Sequence, residues 1–383
     1  MFRPLRLGPS LCLVSLAGVA ATGHLVYPAA LYLWTRKLPD QVPPMPDLWP
    51  PLTVVVAAYR EEAVIAAKVE DTRANGYPGA LLVAVVADDL PTAEAARSAG
   101  AEVQAAGERL GKAEAVNRGV GAARTEIVVI TDANTLLAPG TLAALVRWFE
   151  DPTVDAVAGE KGIAGTSGEG TYWRFESWLK QAEARTGATV GLVGELAAVR
   201  RSAFRPLPRD VIVDDLWLAL DILEDGGRIA YEAQARAEEL SSPDWRTEWE
   251  RRTRILSGVL DVLWRRRRLL APGRGWLAVQ LWGHRLVRSS VGPLAHLTLL
   301  TIALGSLRRS RLARLTVAGH ALGAAAAVRT QLGKADRGPE RVVGQALFLQ
   351  AVALGGVFRY LRGDRPAHWP KPARPAPTAS APA

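Results

Sequence analysis

Two short apolar runs that each lead into an acidic residue constrain the fold of this chain most. Leu81 to Ala87 is followed by Asp88, and Ile127 to Ile130 leads into Asp132. Apolar runs of this length, without alternating polar residues, are typical of parallel strands buried on both faces. Because ligands bind at the carboxyl ends of strands in open α/β sheets, both acids are expected at one binding edge.

Strand and helix patterns alternate around these two runs. Strands are predicted at 52–58, 81–87, 102–105, 126–130 and 154–158, and helices at 61–74, 92–99, 112–123 and 139–150. The region that follows is less regular, with predicted helices at 172–185, 214–224 and 245–268, an extended segment at 190–199 and a strand at 228–232. This rhythm predicts an α/β fold with a mostly parallel sheet covered by helices on both faces.

Apolar segments near both ends of the chain predict membrane helices. About twenty apolar residues cross a bilayer, and Leu11 to Trp34 is long enough to do so. A cleaved signal peptide is the alternative, but the apolar stretch continues past any cleavage site. Further candidate spans are 290–307, 312–328 and 342–361, and the mixed segment 276–288 is expected to lie in the membrane interface.

The basic residues of the chain are concentrated beside these apolar segments. The formal net charge over 383 residues is +9, and basic runs such as Arg265 to Arg268 flank the candidate spans. That placement is typical of residues facing anionic headgroups, so the membrane is the expected partner and nucleic acid is not. The single cysteine, Cys12, allows no disulfide within the chain.

These patterns predict five regions. They are an N-terminal transmembrane anchor at 1–36, a Pro-rich linker at 37–51, a catalytic domain at 52–270, an interfacial helix and C-terminal transmembrane helices at 271–361, and a disordered tail at 362–383.

Charged motifs follow the predicted elements in a fixed order between Leu52 and Leu270. In chain order they are Val54-Val55-Val56-Ala57-Ala58-Tyr59-Arg60-Glu61-Glu62, Asp88-Asp89, Gly111-Lys112-Ala113, Thr131-Asp132-Ala133-Asn134, Val213-Asp214-Asp215 and Arg251-x-x-Arg254. The series resembles the family 2 glycosyltransferases with the GT-A fold, in particular their membrane-integrated bacterial members. The resemblance implies a nucleotide-sugar-binding domain flanked by N- and C-terminal transmembrane helices.

The resemblance implies a donor site for a nucleotide sugar, expected to be UDP-linked. Ala58 would line the uracil and ribose, with Glu61 near the nucleotide and Asp88 bonded to the uracil ring. Lys112 and Arg254 would offset the diphosphate charge, since ammonium and guanidinium groups both bind phosphate oxygens. The alternatives are structural: Glu61 also complements a helix dipole, and Arg254 also suits a basic interfacial helix.

The resemblance also implies a Mg²⁺ or Mn²⁺ cofactor. Asp132 and Asn134 stand where the family has its Asp-x-Asp motif. A cation is needed there because the leaving nucleoside diphosphate gains negative charge as the sugar departs. Asn134 replaces the usual second Asp, and an amide oxygen binds such a cation without contributing a charge. Weaker cation binding is therefore expected.

Asp214 and Asp215 resemble the acidic pair that begins a helix beside the family's acceptor site. By this resemblance Asp215 is the general base that takes a proton from the acceptor hydroxyl, and Asp214 shapes the site. Helix capping is the structural alternative for either carboxylate.

Three further residues are expected on the acceptor side. Gly194 would let the acceptor approach closely, Arg251 begins the Arg-x-x-Arg motif, and Trp178 would form part of a channel floor. At its helical spacing Trp178 is more often a core residue. Ile255 stands where processive polymer synthases carry Trp, which disfavours synthesis of a long polymer.

The predicted protein is an inverting glycosyltransferase in the bacterial cytoplasmic membrane. It would cross the membrane several times with its catalytic domain in the cytosol, where nucleotide sugars are made. The acceptor would be a lipid-linked or short glycan, with or without a partner subunit. Processive polysaccharide synthesis is the alternative enzyme, and a non-catalytic membrane protein that keeps the fold for partner binding is the alternative of another class.

Overall fold

The computed structural model describes residues 9–364 apart from 41, 107, 165–168, 241–244, 333 and 335–337. The predicted tail beyond 364 lies outside the described residues. By their internal contacts the residues fall into two compact units, one within Lys37–Ser241 and one within Met1–Arg36 and Ser242–Arg365. The sequence patterns assign 245–268 to the catalytic domain, whereas by contacts this segment groups with the terminal helices. The functional domain boundaries remain a prediction.

The elements follow the alternating order expected of an α/β protein. The strands are β1 (Leu52–Ala58), β2 (Leu81–Ala87), β3 (Glu102–Ala105), β4 (Ile127–Asp132), β5 (Thr135–Leu137), β6 (Val154–Ala164), β7 (Leu196–Arg200) and β8 (Arg228–Leu240). The α-helices are α1 (Pro9–Ala21), α2 (Tyr27–Thr35), α3 (Ile65–Arg73), α4 (Leu90–Ser98), α5 (Lys112–Ala122), α6 (Thr141–Val146), α7 (Glu169–Ala184), α8 (Asp214–Glu224), α9 (Trp245–Arg265), α10 (Trp276–Gln280), α11 (Gly292–Gly305), α12 (Arg311–Gln331) and α13 (Pro339–Leu361).

All eight strands of the unit within Lys37–Ser241 form one mixed sheet in the order β3-β2-β1-β4-β7-β6-β8-β5. The first four strands pair in parallel, as the apolar runs predicted. Valine side chains fill β1 and β2, and most of them are fully buried, since helices cover both faces of a parallel sheet. The predicted α/β fold with a mostly parallel sheet is confirmed.

Helix α5 packs directly on β1 through Gly119. A Cβ atom built at Gly119 would overlap Cγ1 of Val55 and come within 3.1 Å of Cγ2 of Val86. Only a residue without a side chain therefore allows this close approach. The contact fixes the start of α5, and with it Lys112, against the strands whose ends form the candidate site.

The second half of the sheet differs from the sequence prediction. The extended segment predicted at 190–199 forms the antiparallel strand β7 only from Leu196 to Arg200, between β4 and β6. Strands β6 and β8 continue well beyond the predicted ends at 158 and 232, because they pair with each other in parallel to Ala164 and Leu240. The short β5 was not predicted. These strands are stabilised by pairing partners distant in sequence, which local patterns do not report.

The other unit is helical. Among the described residues, three helices are long and apolar enough to span a membrane: Ser10–Thr35, Trp276–Gly305 and Pro339–Leu361. The prediction of a separate interfacial helix at 276–288 was wrong in its C-terminal boundary. π-helical turns over Leu281–Val291 continue the helix into α11 without a break. The predicted span 312–328 lies within α12, which is not among the three. Its Arg, His and Gly residues lower its hydropathy.

Candidate active site

The carboxyl ends of β2, β1 and β4 lie side by side. Ala58 at the end of β1 is in register with Ala87 of β2, and Ala57 is in register with Asp132 of β4. The structure therefore places Asp88, which follows Ala87, and Asp132 on either side of the end of β1. This is the edge that the apolar runs predicted.

Asp88 is almost fully buried at this edge. Its N–H donates to the carbonyl oxygen of Ala58 at 3.1 Å. Its Oδ2 atom accepts hydrogen bonds from the N–H groups of Leu110 and Gly111 at 2.9 and 2.7 Å. Burial raises the pKa of the Asp88 carboxyl, although both N–H groups oppose this change. Its Oδ1 atom is buried without a hydrogen-bond partner within the described part of the chain. That oxygen is suited to a donor N–H from a bound ligand.

The loop after β1 is held by the start of α4. Arg60 has a left-handed backbone with φ of 53°, and its N–H donates to Oδ2 of Asp89 at 2.6 Å. Asp89 also caps α4 by accepting from the N–H of Thr92 at 3.0 Å. Glu61 is buried, and its N–H donates to the Thr92 hydroxyl at 2.9 Å. In this structure Asp89 supports the loop and does not face a ligand.

Lys112 lies between Asp132 and Asp214. Its Nζ atom lies 2.7 Å from Oδ1 of Asp132, 3.0 Å from the carbonyl oxygen of Gly194 and 3.7 Å from Oδ2 of Asp214. It is the first residue of α5, after Gly111, whose φ of 91° favours glycine. Lys112 and the two acids, predicted from separate motifs, are therefore brought together.

The charged groups in this cluster shift one another's pKa values. Burial lowers the pKa of Lys112, but the carboxylates of Asp132 and Asp214 outweigh burial and raise this pKa above its usual value. Burial raises the pKa of the Asp132 carboxyl, and the ammonium of Lys112 only partly opposes this. The side chains of Asp132 and Lys112 are 27% and 34% exposed, so a ligand can reach both.

Asp214 and Asp215 lie in the first turn of α8, as predicted. A Cβ atom built at Gly194 would be 3.6 Å from Oδ2 of Asp215 and 3.5 Å from Nζ of Lys112. The ammonium of Lys112 and the carboxylate of Asp215 therefore both lie close to Gly194. A small cavity beside the two acids has apolar walls that include Leu192 and Leu218.

Sequence reasoning missed two charged residues in this cluster. Glu195 follows Gly194, and its Oε1 atom accepts a hydrogen bond from Nζ of Lys161 on β6. Burial raises the pKa of Glu195, but the charge of Lys161 outweighs it and holds this pKa well below its usual range. Neither residue lies in a motif, so the sequence offered no signal that would have found this ion pair.

For three other predicted site residues, the structure gives contacts within their own helices. Trp178 lies on α7 with its ring centroid 6.0 Å from that of Phe175. Arg251 and Arg254 lie on α9, in the other compact unit, where Arg251 forms hydrogen bonds of 3.0 Å with Glu248. Roles in acceptor or diphosphate binding remain predictions for all three.

The residues present fit a divalent cation that is shared with a ligand. Asp132 and Asn134 offer a carboxylate and an amide oxygen on the turn after β4, and oxygen is the donor that Mg²⁺ and Mn²⁺ prefer. In the part of the chain that the structure describes, no three acidic, histidine or cysteine side chains converge on a cation position. Such a cation would take its remaining ligands from water and from a diphosphate, as Mg²⁺ usually does.

The sheet order, the acids at the strand ends and the acidic pair that begins α8 define the GT-A fold. The chain belongs to glycosyltransferase family 2, since the model described as glycosyltransferase like family 2 matches residues 50–258. Among solved structures, the fold is similar to that of the mannosyltransferase PcManGT from Pyrobaculum calidifontis in complex with GDP-Man and Mn²⁺. The two chains are 27% identical with a TM-score of 0.74, over 92% of this chain and 100% of that one.

Sequence relatives are bacterial transferases. An N-acetylglucosaminyltransferase of Rhizobium sp. (strain N33) is 27% identical over 219 residues, covering 50% of this chain and 48% of the relative. A beta-monoglucosyldiacylglycerol synthase of Synechocystis sp. is 26% identical over 226 residues, covering 52% of this chain and 47% of the relative. The chain thus spans about half the length of these relatives.

Proposed function

We propose that this chain is an inverting glycosyltransferase that moves a sugar from a nucleotide sugar to a hydroxyl acceptor at the bacterial cytoplasmic membrane. The spacing around Gly194 carries the proposal. The Cβ position of Gly194 lies 3.5 Å from the ammonium of Lys112 and 3.6 Å from the carboxylate of Asp215. The ammonium that would bind a leaving diphosphate and the carboxylate that would act as base on an attacking hydroxyl therefore both lie close to one point of the site.

On the donor side, the buried Oδ1 atom of Asp88 would accept a hydrogen bond from a nucleobase N–H. Uracil has one such group, and we expect a UDP-linked donor. Guanine has N–H groups as well, so a GDP-linked donor is the alternative to test. Lys112 would stabilise the diphosphate as it leaves. A Mg²⁺ or Mn²⁺ ion held by Asp132 and Asn134 would supply a Lewis acid for the same charge.

On the acceptor side, Asp215 would take the proton from the acceptor hydroxyl as the oxygen attacks the anomeric carbon. The glycosidic bond forms on the face opposite the departing diphosphate, so a single displacement inverts the anomeric centre. Asp214 lies 3.7 Å from Lys112 and would hold that ammonium towards the donor. Because Asp214 would hold Lys112, Asp215 is the carboxylate that remains to act as the general base.

The acceptor is proposed to be a lipid-linked or short glycan. The three candidate membrane spans and the diacylglycerol named for the Synechocystis relative support a membrane acceptor. We expect the catalytic unit to face the cytosol, where the donor is made.

Transfer by membranes that carry wild-type chain or Asp215→Asn tests the proposal. Each preparation receives radiolabelled UDP- and GDP-sugars with Mn²⁺ or Mg²⁺, and label is followed into lipid-soluble and polymeric fractions. Loss of the general base should lower the rate roughly 100-fold or more. Asp47→Asn is the matched control, because Asp47 is an exposed aspartate of the linker before β1.

The outcomes separate the competing functions. Label in the lipid fraction that depends on Asp215 supports the proposal, whereas label in a long polymer points to a processive synthase. Equal rates for wild type and Asp215→Asn would exclude Asp215 as the base. Nucleotide-sugar binding without transfer to any acceptor would favour the non-catalytic protein or a missing partner subunit.

A further inference from the structure

Glu195 and Lys161 form an ion pair inside the candidate site that the proposed reaction does not use. The Lys161 side chain is only 2% exposed, while that of Glu195 is 19% exposed. The ammonium of Lys161 also lies 5.1 Å from the centre of the Trp173 ring. Lys161 is thus anchored in the protein, and the carboxylate that it holds reaches the edge of the site.

The position of Glu195 is fixed relative to both halves of the site. Glu195 directly follows Gly194, and a Cβ atom built at Gly194 would lie 3.5 Å from Nζ of Lys112 and 3.6 Å from Oδ2 of Asp215. Its carboxylate also interacts electrostatically with Lys112 and Asp132. In the proposed function the diphosphate binds at Lys112 and the acceptor hydroxyl at Asp215. The transferred sugar must bridge these two points and therefore lies beside residues 194 and 195.

We propose that Glu195, held in place by Lys161, is a specificity-determining residue that binds hydroxyl or amide N–H groups of the transferred sugar and excludes sugars that carry a carboxylate. This inference rests on the proposed function and names the class of donor that the site takes: nucleotide sugars whose sugar is neutral.

The chemistry of the pair supports this role. An ionised carboxylate only accepts hydrogen bonds, and sugar hydroxyl groups are donors that match it. Lys161 keeps the Glu195 pKa low, so Glu195 stays ionised and does not compete with Asp215 for the acceptor proton. A sugar that carries a carboxylate would place this group beside the carboxylate of Glu195. Two like charges so close together are strongly unfavourable. Loss of a charged hydrogen-bond partner should reduce binding of the sugar roughly 10- to 100-fold.

Binding measurements on the full-length chain in detergent test the inference. The affinities of wild type and Glu195→Gln are measured for UDP, UDP-glucose and UDP-glucuronate, or for the corresponding GDP compounds if GDP binds more tightly. We expect Glu195→Gln to weaken UDP-glucose binding roughly 10- to 100-fold and to leave UDP binding within about threefold. The preference for the neutral sugar over the uronate should shrink.

Lys161→Met is the second variant, because it removes the anchor and keeps the carboxylate. We expect it to weaken UDP-glucose binding and again to spare UDP. Thermal unfolding of both variants shows whether they fold.

Equal losses of UDP and UDP-glucose affinity would overturn the inference, because Glu195 would then act on the nucleotide. Unchanged affinity for UDP-glucose in a folded Glu195→Gln variant would also overturn it. A wild-type chain that binds neither UDP nor GDP would instead remove the proposed function, and the sugar site with it.

Discussion

Replacement of Lys68 by Met should stabilise the unit that carries the site. Lys68 lies on α3 and is 0% exposed. Its Nζ atom is 3.9 Å from Oδ2 of Asp71 and has no hydrogen-bond partner in the described part of the chain. Burial lowers the pKa of Lys68 from 10.5 to about 8, although the charges of Asp71 and Asp132 oppose this change. The native protein therefore keeps a desolvated ammonium in its interior at neutral pH.

The lowered pKa sets the size and the pH dependence of the effect. The difference between 10.5 in the unfolded chain and about 8 in the folded chain corresponds to about 3 kcal/mol. Between these two pH values the unfolded chain binds the proton more tightly than the folded chain. The penalty is therefore complete below pH 8 and disappears as the pH rises towards 10.5. Met fills the same unbranched space without a charge, so Lys68→Met should gain about 3 kcal/mol at pH 7.

The assay is thermal unfolding of the full-length chain in detergent from pH 7 to pH 10.5. A domain of this size gains roughly 2–4 °C per kcal/mol, so the unfolding temperature of Lys68→Met should rise by roughly 6–12 °C at pH 7. Lys37→Met is the control, because Lys37 is exposed and should change stability by less than about 0.5 kcal/mol. A lower unfolding temperature for Lys68→Met, or a gain that stays constant up to pH 10.5, would refute the reasoning.

Two further substitutions test packing within the same unit. Arg147→Met should cost about 3–5 kcal/mol in thermal unfolding, because the buried carboxylate of Glu232 would lose its cation. A normal unfolding temperature for this variant would mean that the ion pair is not needed for stability. Gly119→Ala should cost about 1–3 kcal/mol through overlap with Val55 of β1. Gly121→Ala is its control on the same helix and should be neutral or stabilising, since nothing lies within 4 Å of the added methyl group. Equal unfolding temperatures for the two variants would contradict the packing argument.

The parts of the site that could be predicted from sequence are those fixed by local patterns. Asp88 and Asp132 each stand at the end of an apolar run, so a buried strand and its polar end could be predicted together. Asp214 begins a helix whose apolar face repeats at the helical period. Local patterns therefore predict that Asp88 and Asp132 share one edge of the sheet, and the family resemblance adds Asp214 to the same site. Two of these acids, Asp132 and Asp214, lie around Lys112.

The parts that could not be predicted depend on pairing between distant residues. Strand β7 lies between β4 and β6, and both pairings are antiparallel. This arrangement brings Glu195, just before β7, next to Lys161 on β6, although 34 residues separate them in the chain. Neither residue belongs to a motif or to an amphipathic pattern. A single charged residue in an irregular segment gives no indication of its partner, so this ion pair follows only from the order of the strands.

The ion pair of Glu195 and Lys161 bears on the role of Asn134, which replaces the second aspartate of the family's Asp-x-Asp motif. Among the described residues, the cluster around Lys112 contains four carboxylates and two ammonium groups, those of Asp132, Glu195, Asp214 and Asp215 and those of Lys112 and Lys161. Acids outnumber bases there, so an anionic diphosphate binds favourably only if positive charge is added, and a divalent cation is suited to supply it. A second aspartate at 134 would increase the surplus of negative charge, whereas Asn134 offers an oxygen without a charge.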